Sequence, residues 1–257
     1  MDKIKTKEKI KTNIKKLSAV LFWVSLWQFL HIYIGKSILL PSPSSVLSRI
    51  FIMIFEKNFW SAVYGSIGRI TVGFILACLF GVLISAFSYR SKIIKLLVEP
   101  FIMTIKAVPV ASFVILALVW IKSSNLSVFI SFIMVLPIIY TNVTKGLENM
   151  DDSILEMAEL FKIGILKKII YIYIPMIMPF FLSGVSVGIG FCWKSGIAAE
   201  VIGLPKNSIG ENLYNAKIFL DTTELFAWTF TIIIISIVYE KIIVYIIEKL
   251  CKKIEIQ

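Results

Sequence analysis

Charge is scarce in this chain. Only 17% of its residues are Asp, Glu, Lys or Arg, and it holds one histidine and three cysteines. With His31 alone, a histidine-based zinc or catalytic cluster has no material to form from. Cys78 and Cys192 sit in apolar stretches and Cys251 in a basic tail, and no spacing among them suggests a disulfide or a metal site. No Gly-x-x-x-x-Gly-Lys-Ser/Thr loop is present, so the chain cannot cradle ATP in the P-loop manner. His-Glu-x-x-His and Gly-x-Ser-x-Gly are also missing. The acids fall mainly in loops, which leaves no paired carboxylates at one depth for acid–base work. The expectation is a non-catalytic chain that binds no cofactor of its own. Internal repeats, low-complexity linkers and room for a sizeable soluble domain are lacking too.

What the chain has is apolar residue in helical lengths. It is 58% hydrophobic over 257 residues, with a mean hydropathy of +0.88. That composition marks an integral membrane protein. The long blocks favour a helix bundle over a barrel of alternating strands. A net charge of +11 could suggest nucleic acid, but the basic residues cluster at the chain ends and in short loops. They read as topology determinants, with no nucleic-acid partner and with lipid as the solvent.

In order, residues 1–16 form a basic tail and the first span lies near 17–35, uncleaved, with its N-terminus in the cytoplasm. Leu40-Pro41-Ser42-Pro43-Ser44-Ser45-Val46 starts a helix that runs through Ile54, with serine as cap. Further spans fall near 66–88, 100–120, 127–146, 176–199 and 225–247. The membrane domain is thus 17–248, and 249–257 is a second cytoplasmic tail. Pro109 should kink the third span and Pro137 the fourth. Lys106 lies inside the third span, where it either snorkels to the cytoplasm or faces protein or a wet cavity. Ser183, Gly184, Ser186, Gly188 and Gly190 give the fifth span a small-residue face for helix or subunit packing. Trp193, Lys194 and Glu200 follow on the same span. Lys194 is either packed or part of a pathway.

Between the fourth and fifth spans, residues 148–175 form a mixed-polarity island. Leu155, Ala158 and Phe161 recur at helical spacing, and Gly164 permits a turn before a second helical piece that ends near Pro175. An amphipathic hairpin in a membrane-protein loop either lies on the surface or docks a soluble partner.

This stretch resembles the "EAA" coupling loop of ATP-binding-cassette (ABC) importer permeases, which runs Glu-Ala-Ala, three residues, Gly, nine residues, then Ile-x-Leu-Pro. Glu156-Met157-Ala158 matches the opening in two places of three, and Ile172-Tyr173-Ile174-Pro175 falls at the right spacing. Lys162 stands where the family has glycine, so Gly164 is expected to supply the turn two residues later. Other stretches resemble the nitrate/sulfonate/taurine branch in the right order. These are Leu40–Val46, Ser66-x-x-Arg69 with Gly73-Phe74, Lys106-x-x-Pro109, Trp193 with Ala199-Glu200-Val201-Ile202-Gly203, and Ile209-Gly210.

The resemblance implies a type I permease with six transmembrane helices and both termini cytoplasmic, in a bacterial cell membrane. It implies a homodimer served by two copies of a cytoplasmic ATPase, which carries the ATP-Mg, and by an extracytoplasmic substrate-binding protein. Transport would be by alternating access. The cargo would be a nitrate-, sulfonate- or taurine-like anion, or a pyrimidine-type thiamine precursor. Leu155, Glu156, Met157, Ala158, Phe161, Lys162, Gly164 and Pro175 would form the coupling loop, with Leu155, Ala158 and Phe161 filling the ATPase groove. Lys106, Pro109, Trp193, Lys194 and Glu200 would belong to the substrate pathway. An ion-coupled secondary transporter or channel working without an ATPase is the alternative; the spans offer it almost no acids except near their ends.

Overall fold

In the computed structural model the backbone of residues 2–255 and the side chains of residues 18–249 are described. The two charged tails and Cys251 therefore fall largely outside the described side chains. Eleven α-helices follow in order: α1 Asp2–Ile34, α2 Pro43–Ile54, α3 Lys57–Arg90, α4 Lys92–Ala107, α5 Val110–Ala117, α6 Ser123–Glu148, α7 Asp152–Leu160, α8 Ile165–Lys168, α9 Ile174–Gly203, α10 Ile209–Ile218 and α11 Thr222–Glu255. A π-helical turn, Ile169–Tyr173, joins α8 to α9.

Among the described residues, four helices are long and apolar enough to cross a membrane: α3, α6, the continuous run Ile165–Gly203, and α11. The expected third span is not one helix. α4 and α5 meet at 104°, and together they count as a fifth crossing or a re-entrant loop. Pro109 does more than kink: with no N–H to donate, it ends α4's bonding and becomes the N-cap of α5 at φ −60°, ψ 137°. The first expected span corresponds to the apolar part of α1, Ser18–Ile34, seventeen residues long.

The chain divides into two compact units, Met1–Phe59 with Asn212–Thr231, and Trp60–Glu211 with Ile232–Gln257. In the first, the start of α2 follows the sequence signal. Ser42 caps the helix by accepting from the Ser45 amide at 3.1 Å, and Pro43 takes the first helical position, where a missing N–H costs nothing. Trp27 donates to the Pro41 carbonyl at 3.0 Å and stacks on Phe226 and Phe230. His31 Nδ1 lies 2.7 Å from the Leu40 carbonyl, so the lone histidine serves the loop after α1. Arg49 bridges Glu56 and Glu224.

In the second unit the core is α3, α6 and α9. Glycines let these helices approach: a Cβ on Gly73 would overlap the α6 backbone at Val128, and Gly184, Gly188 and Gly196 of α9 lie against Asn142, Val135 and Ser131 of α6. Apolar surface gains nothing by leaving lipid for protein, so close packing and interhelical hydrogen bonds hold such helices together. Here Ser127 and Ser131 of α6 donate to the Gly196 and Cys192 carbonyls of α9, at 3.2 and 3.5 Å. Ser85 of α3 donates to the Tyr140 carbonyl at 3.0 Å. The small-residue face of α9 is thus spent mostly inside the chain, although Gly190 has open space and Ser183 is exposed.

Candidate functional site

The loop between α6 and α9 folds as a helical hairpin. Asp151 opens it as the N-cap of α7, its Oδ1 accepting from the Ser153 amide at 3.0 Å and the Ser153 hydroxyl at 2.7 Å. Those two donors hold the Asp151 carboxyl below the ordinary carboxylate range, the hydroxyl contributing more than the amide. The helix closes after Phe161. The Lys162 amide donates to the Glu159 carbonyl at 2.9 Å and the Ile163 amide to Ala158 at 3.0 Å, the paired bonds of a Schellman ending.

That ending needs a left-handed residue at its centre, and Lys162 fills it at φ 50°. The expectation that Gly164 supplies the turn is therefore corrected. Gly164 sits at φ −61°, ψ 151°, as the N-cap of α8, a conformation any residue adopts. The turn stays where the family places glycine because the hydrogen-bond pattern of the helix end fixes the position. Lysine bears the strain instead.

The apolar face of α7 also differs from the expected one. Ala158 is completely buried in the chain's own packing and so offers no surface, and Leu155 is half-buried. The surface turned outward is Met157, Leu160 and Phe161, 48%, 82% and 75% exposed, with Ile165 and Leu166 beyond the turn. Period alone located the stripe but could not say which side faced the protein. Leu160 was missed because it falls between the chosen positions. Glu156 and Lys162 are exposed beside this surface, and Lys168 pairs with Glu159 at 3.8 Å across the hairpin.

Pro175 is not the end of the loop. The helix from Ile165 runs through it into α9, and Pro175 is the second residue of that helix. The π turn just before it carries a five-residue bond, from the Ile174 amide to the Ile169 carbonyl. Such a bulge absorbs the register change that a proline imposes. The hairpin is thereby joined to the membrane span by one helix rather than by a flexible loop.

The pathway candidates separate into two groups. Lys106, in the last turn of α4, is exposed and donates to Thr141 Oγ1 of α6 at 2.7 Å; Thr141 in turn donates to the Pro137 carbonyl at 2.7 Å. Three residues on, Pro109 breaks the helix pair. Lys194 is exposed on α9. Trp193 and Glu200, in contrast, are buried at 1% and 0%. Trp193 packs edge-on against Tyr239 of α11, at 5.6 Å between ring centres.

Glu200 accepts from Ser66 Oγ at 2.6 Å, Arg69 Nε at 3.0 Å and the Gly210 amide at 3.4 Å. Ser66 Oγ also accepts from the Ile209 amide at 3.0 Å, and Arg69 reaches the Asn207 carbonyl at 3.0 Å. This network ties α3, α9 and the start of α10 together. Gly210 has no room for a Cβ against Glu200, nor Gly65 against the Asn207 carbonyl. The motifs around Ser66, Arg69, Glu200 and Gly210 were each visible in sequence, but nothing there showed that they meet. Glu240 of α11 is a further polar residue within a span, accepting from Ser186 of α9 at 2.8 Å.

The family model for the binding-protein-dependent transport system inner membrane component matches residues 70–253. The chain is 22% identical over 205 residues to the nitrate import permease protein NrtB of Synechococcus elongatus, covering 76% of this chain and 73% of that one. It is 24% identical over 199 residues to NrtB of Synechocystis sp., covering 74% and 72%. It is 21% identical over 220 residues to the taurine transport system permease protein TauC of Escherichia coli, covering 83% and 80%. With the helical spans and a family match over well more than half its length, this chain belongs to the binding-protein-dependent inner membrane components, the multi-pass permeases of ABC importers.

Proposed function

We propose that this chain is the permease subunit of an ATP-driven importer of a small anion, working as a homodimer in a bacterial cell membrane. Six crossings, counting the apolar part of α1 and the broken pair α4–α5, would place both termini in the cytoplasm. The single observation that carries the reading is the hairpin α7–α8. It presents Met157, Leu160 and Phe161 outward, and a continuous helix connects it to α9. A surface of that kind suits docking into a hydrophobic groove. Two cytoplasmic ATPases closing on ATP-Mg would push the two hairpins. The rigid run Ile165–Gly203 would carry the movement into the bundle, and a substrate-binding protein would deliver cargo to the outward-open cavity.

On this reading, the break at Pro109 and the exposed Lys106 and Lys194 line the path. Irregular backbone at membrane depth is tolerated where it lines a cavity. Two ammonium groups on such a path favour an anion, in keeping with the nitrate and taurine permeases among the relatives. Trp193 and Glu200 then act as supports behind the path.

The test is co-expression with a candidate ABC ATPase from the same genome. Phe161→Asp is expected to release the ATPase while the permease still inserts in the membrane, and Lys106→Gln to leave the ATPase bound and impair uptake. ATP-dependent uptake at the wild-type rate by Phe161→Asp would refute the coupling role. Uptake that proceeds with no ATPase at all would favour a secondary transporter.

A further inference from the structure

A cavity of about 340 Å³ opens between α3, α6 and the joint of α8 with α9. Its floor is Val143 and Leu147 of α6, its walls include Val82 and Ala86 of α3, and Ile169 of the π turn closes the far side. At its mouth stand Tyr89 and Arg90, the last two residues of α3. The volume lies in the range of ordinary ligand sites, about 300–1,000 Å³. From Arg90 to Val82 is eight residues of helix, about 12 Å. One leaflet's hydrocarbon is about 15 Å deep, half of a 30 Å core. The groove therefore runs from the membrane surface through most of one leaflet.

Its chemistry is that of an amphiphile with a negative head. The interior is apolar, and Arg90 is exposed with no ion pair among the described residues. A soluble protein has no means of reaching 12 Å into the hydrocarbon. An anionic lipid matches both parts, and basic pockets between transmembrane helices on the cytoplasmic side take such headgroups.

We propose that this groove binds an anionic phospholipid of the cytoplasmic leaflet, one acyl chain lying between α3, α6 and the π turn, with its phosphate on Arg90. The proposal rests on the orientation given above, which places Arg90 at the inner face. Because Ile169 and Tyr173 of the π turn line the groove, the bound lipid braces the joint between the coupling hairpin and α9.

The test uses the full purified chain in detergent, with phosphatidylglycerol or phosphatidylcholine added. Thermal unfolding and native mass spectrometry are both read. Phosphatidylglycerol should raise the wild-type melting temperature more than phosphatidylcholine and remain bound to the chain in the mass spectrum. Arg90→Gln should lose that preference, and Ala86→Phe, which fills the groove, should lose one bound lipid of either kind. Ile169→Phe fills the groove from the other side and serves if Ala86→Phe does not fold. Retention of the phosphatidylglycerol preference by Arg90→Gln would overturn the proposal. So would a groove-filling variant that keeps its lipid but dissociates a dimer, which would assign the groove to a second copy. Neither readout depends on transport or ATPase binding, so failure here is distinct from failure of the importer reading.

Discussion

Replacing Lys162 by glycine should tighten the α7–α8 hairpin. Lys162 occupies the left-handed region at the centre of the Schellman ending of α7. For an L-residue that conformation costs about 1–2 kcal/mol. Glycine escapes the cost but returns about 0.4–1 kcal/mol through its freer unfolded chain, so the net gain lies between zero and about 1.6 kcal/mol, about 0.8 kcal/mol at the midpoints. With 1.4 kcal/mol per tenfold, the midpoint gain makes local opening about fourfold rarer. The assay is amide hydrogen exchange of the chain in detergent or nanodiscs, read at Lys162 and Ile163, whose amides make the two closing bonds. Both should exchange more slowly in Lys162→Gly. Lys162→Val should move the other way, because a β-branched residue tolerates the left-handed region poorly. Unchanged or faster exchange in Lys162→Gly would refute the reasoning: lysine would then be gaining something at this position that outweighs its strain.

Three further outcomes follow from the same geometry. Glu200→Ala should strip Arg69, Ser66 and the Gly210 amide of their acceptor, and breaking a buried pair of this kind costs about 3–5 kcal/mol, visible as a lowered detergent melting temperature. A melting temperature equal to wild type would mean that the network contributes no net stability. Asp151 has a depressed folded-state pKa, so its contribution to α7 is fully present above the unfolded-state value and lost as pH falls through the folded one. Exchange of the Ser153 amide, corrected for intrinsic rate, should rise in acid for wild type, and Asp151→Asn should cap the helix without that pH dependence. Ser42→Ala should cost about 0.5–2 kcal/mol by uncapping α2, and Ser42→Asp should largely restore it, checked by thermal melting.

The sequence by itself determined the class, the family and several local features. Long apolar blocks have no stable home but a membrane, and a proline-serine start specifies its own helix through one short hydrogen bond, so α2 was legible to its last residue, Ile54. The coupling loop was legible as an amphipathic helix and as a spaced motif. Tertiary structure decided which side of that helix faces out: Ala158 and Leu155 share a face with the chain's own packing, and a period of 3.6 residues fixes a stripe but not its partner. It decided that the left-handed turn stays at Lys162, because the closing hydrogen bonds of α7 set its place whatever residue stands there. It decided that Pro109 breaks a helix where Pro175 does not: α4 ends with its C-cap at Val108, before Pro109, whereas a π turn carries the chain from α8 through Pro175 into α9. And it decided that Ser66, Arg69, Glu200 and Gly210, up to 144 positions apart, form one buried cluster. Spacing along the chain carries no record of which helices will lie side by side. That record is written in the glycines and serines of α3, α6 and α9, and it becomes readable only once the helices have met.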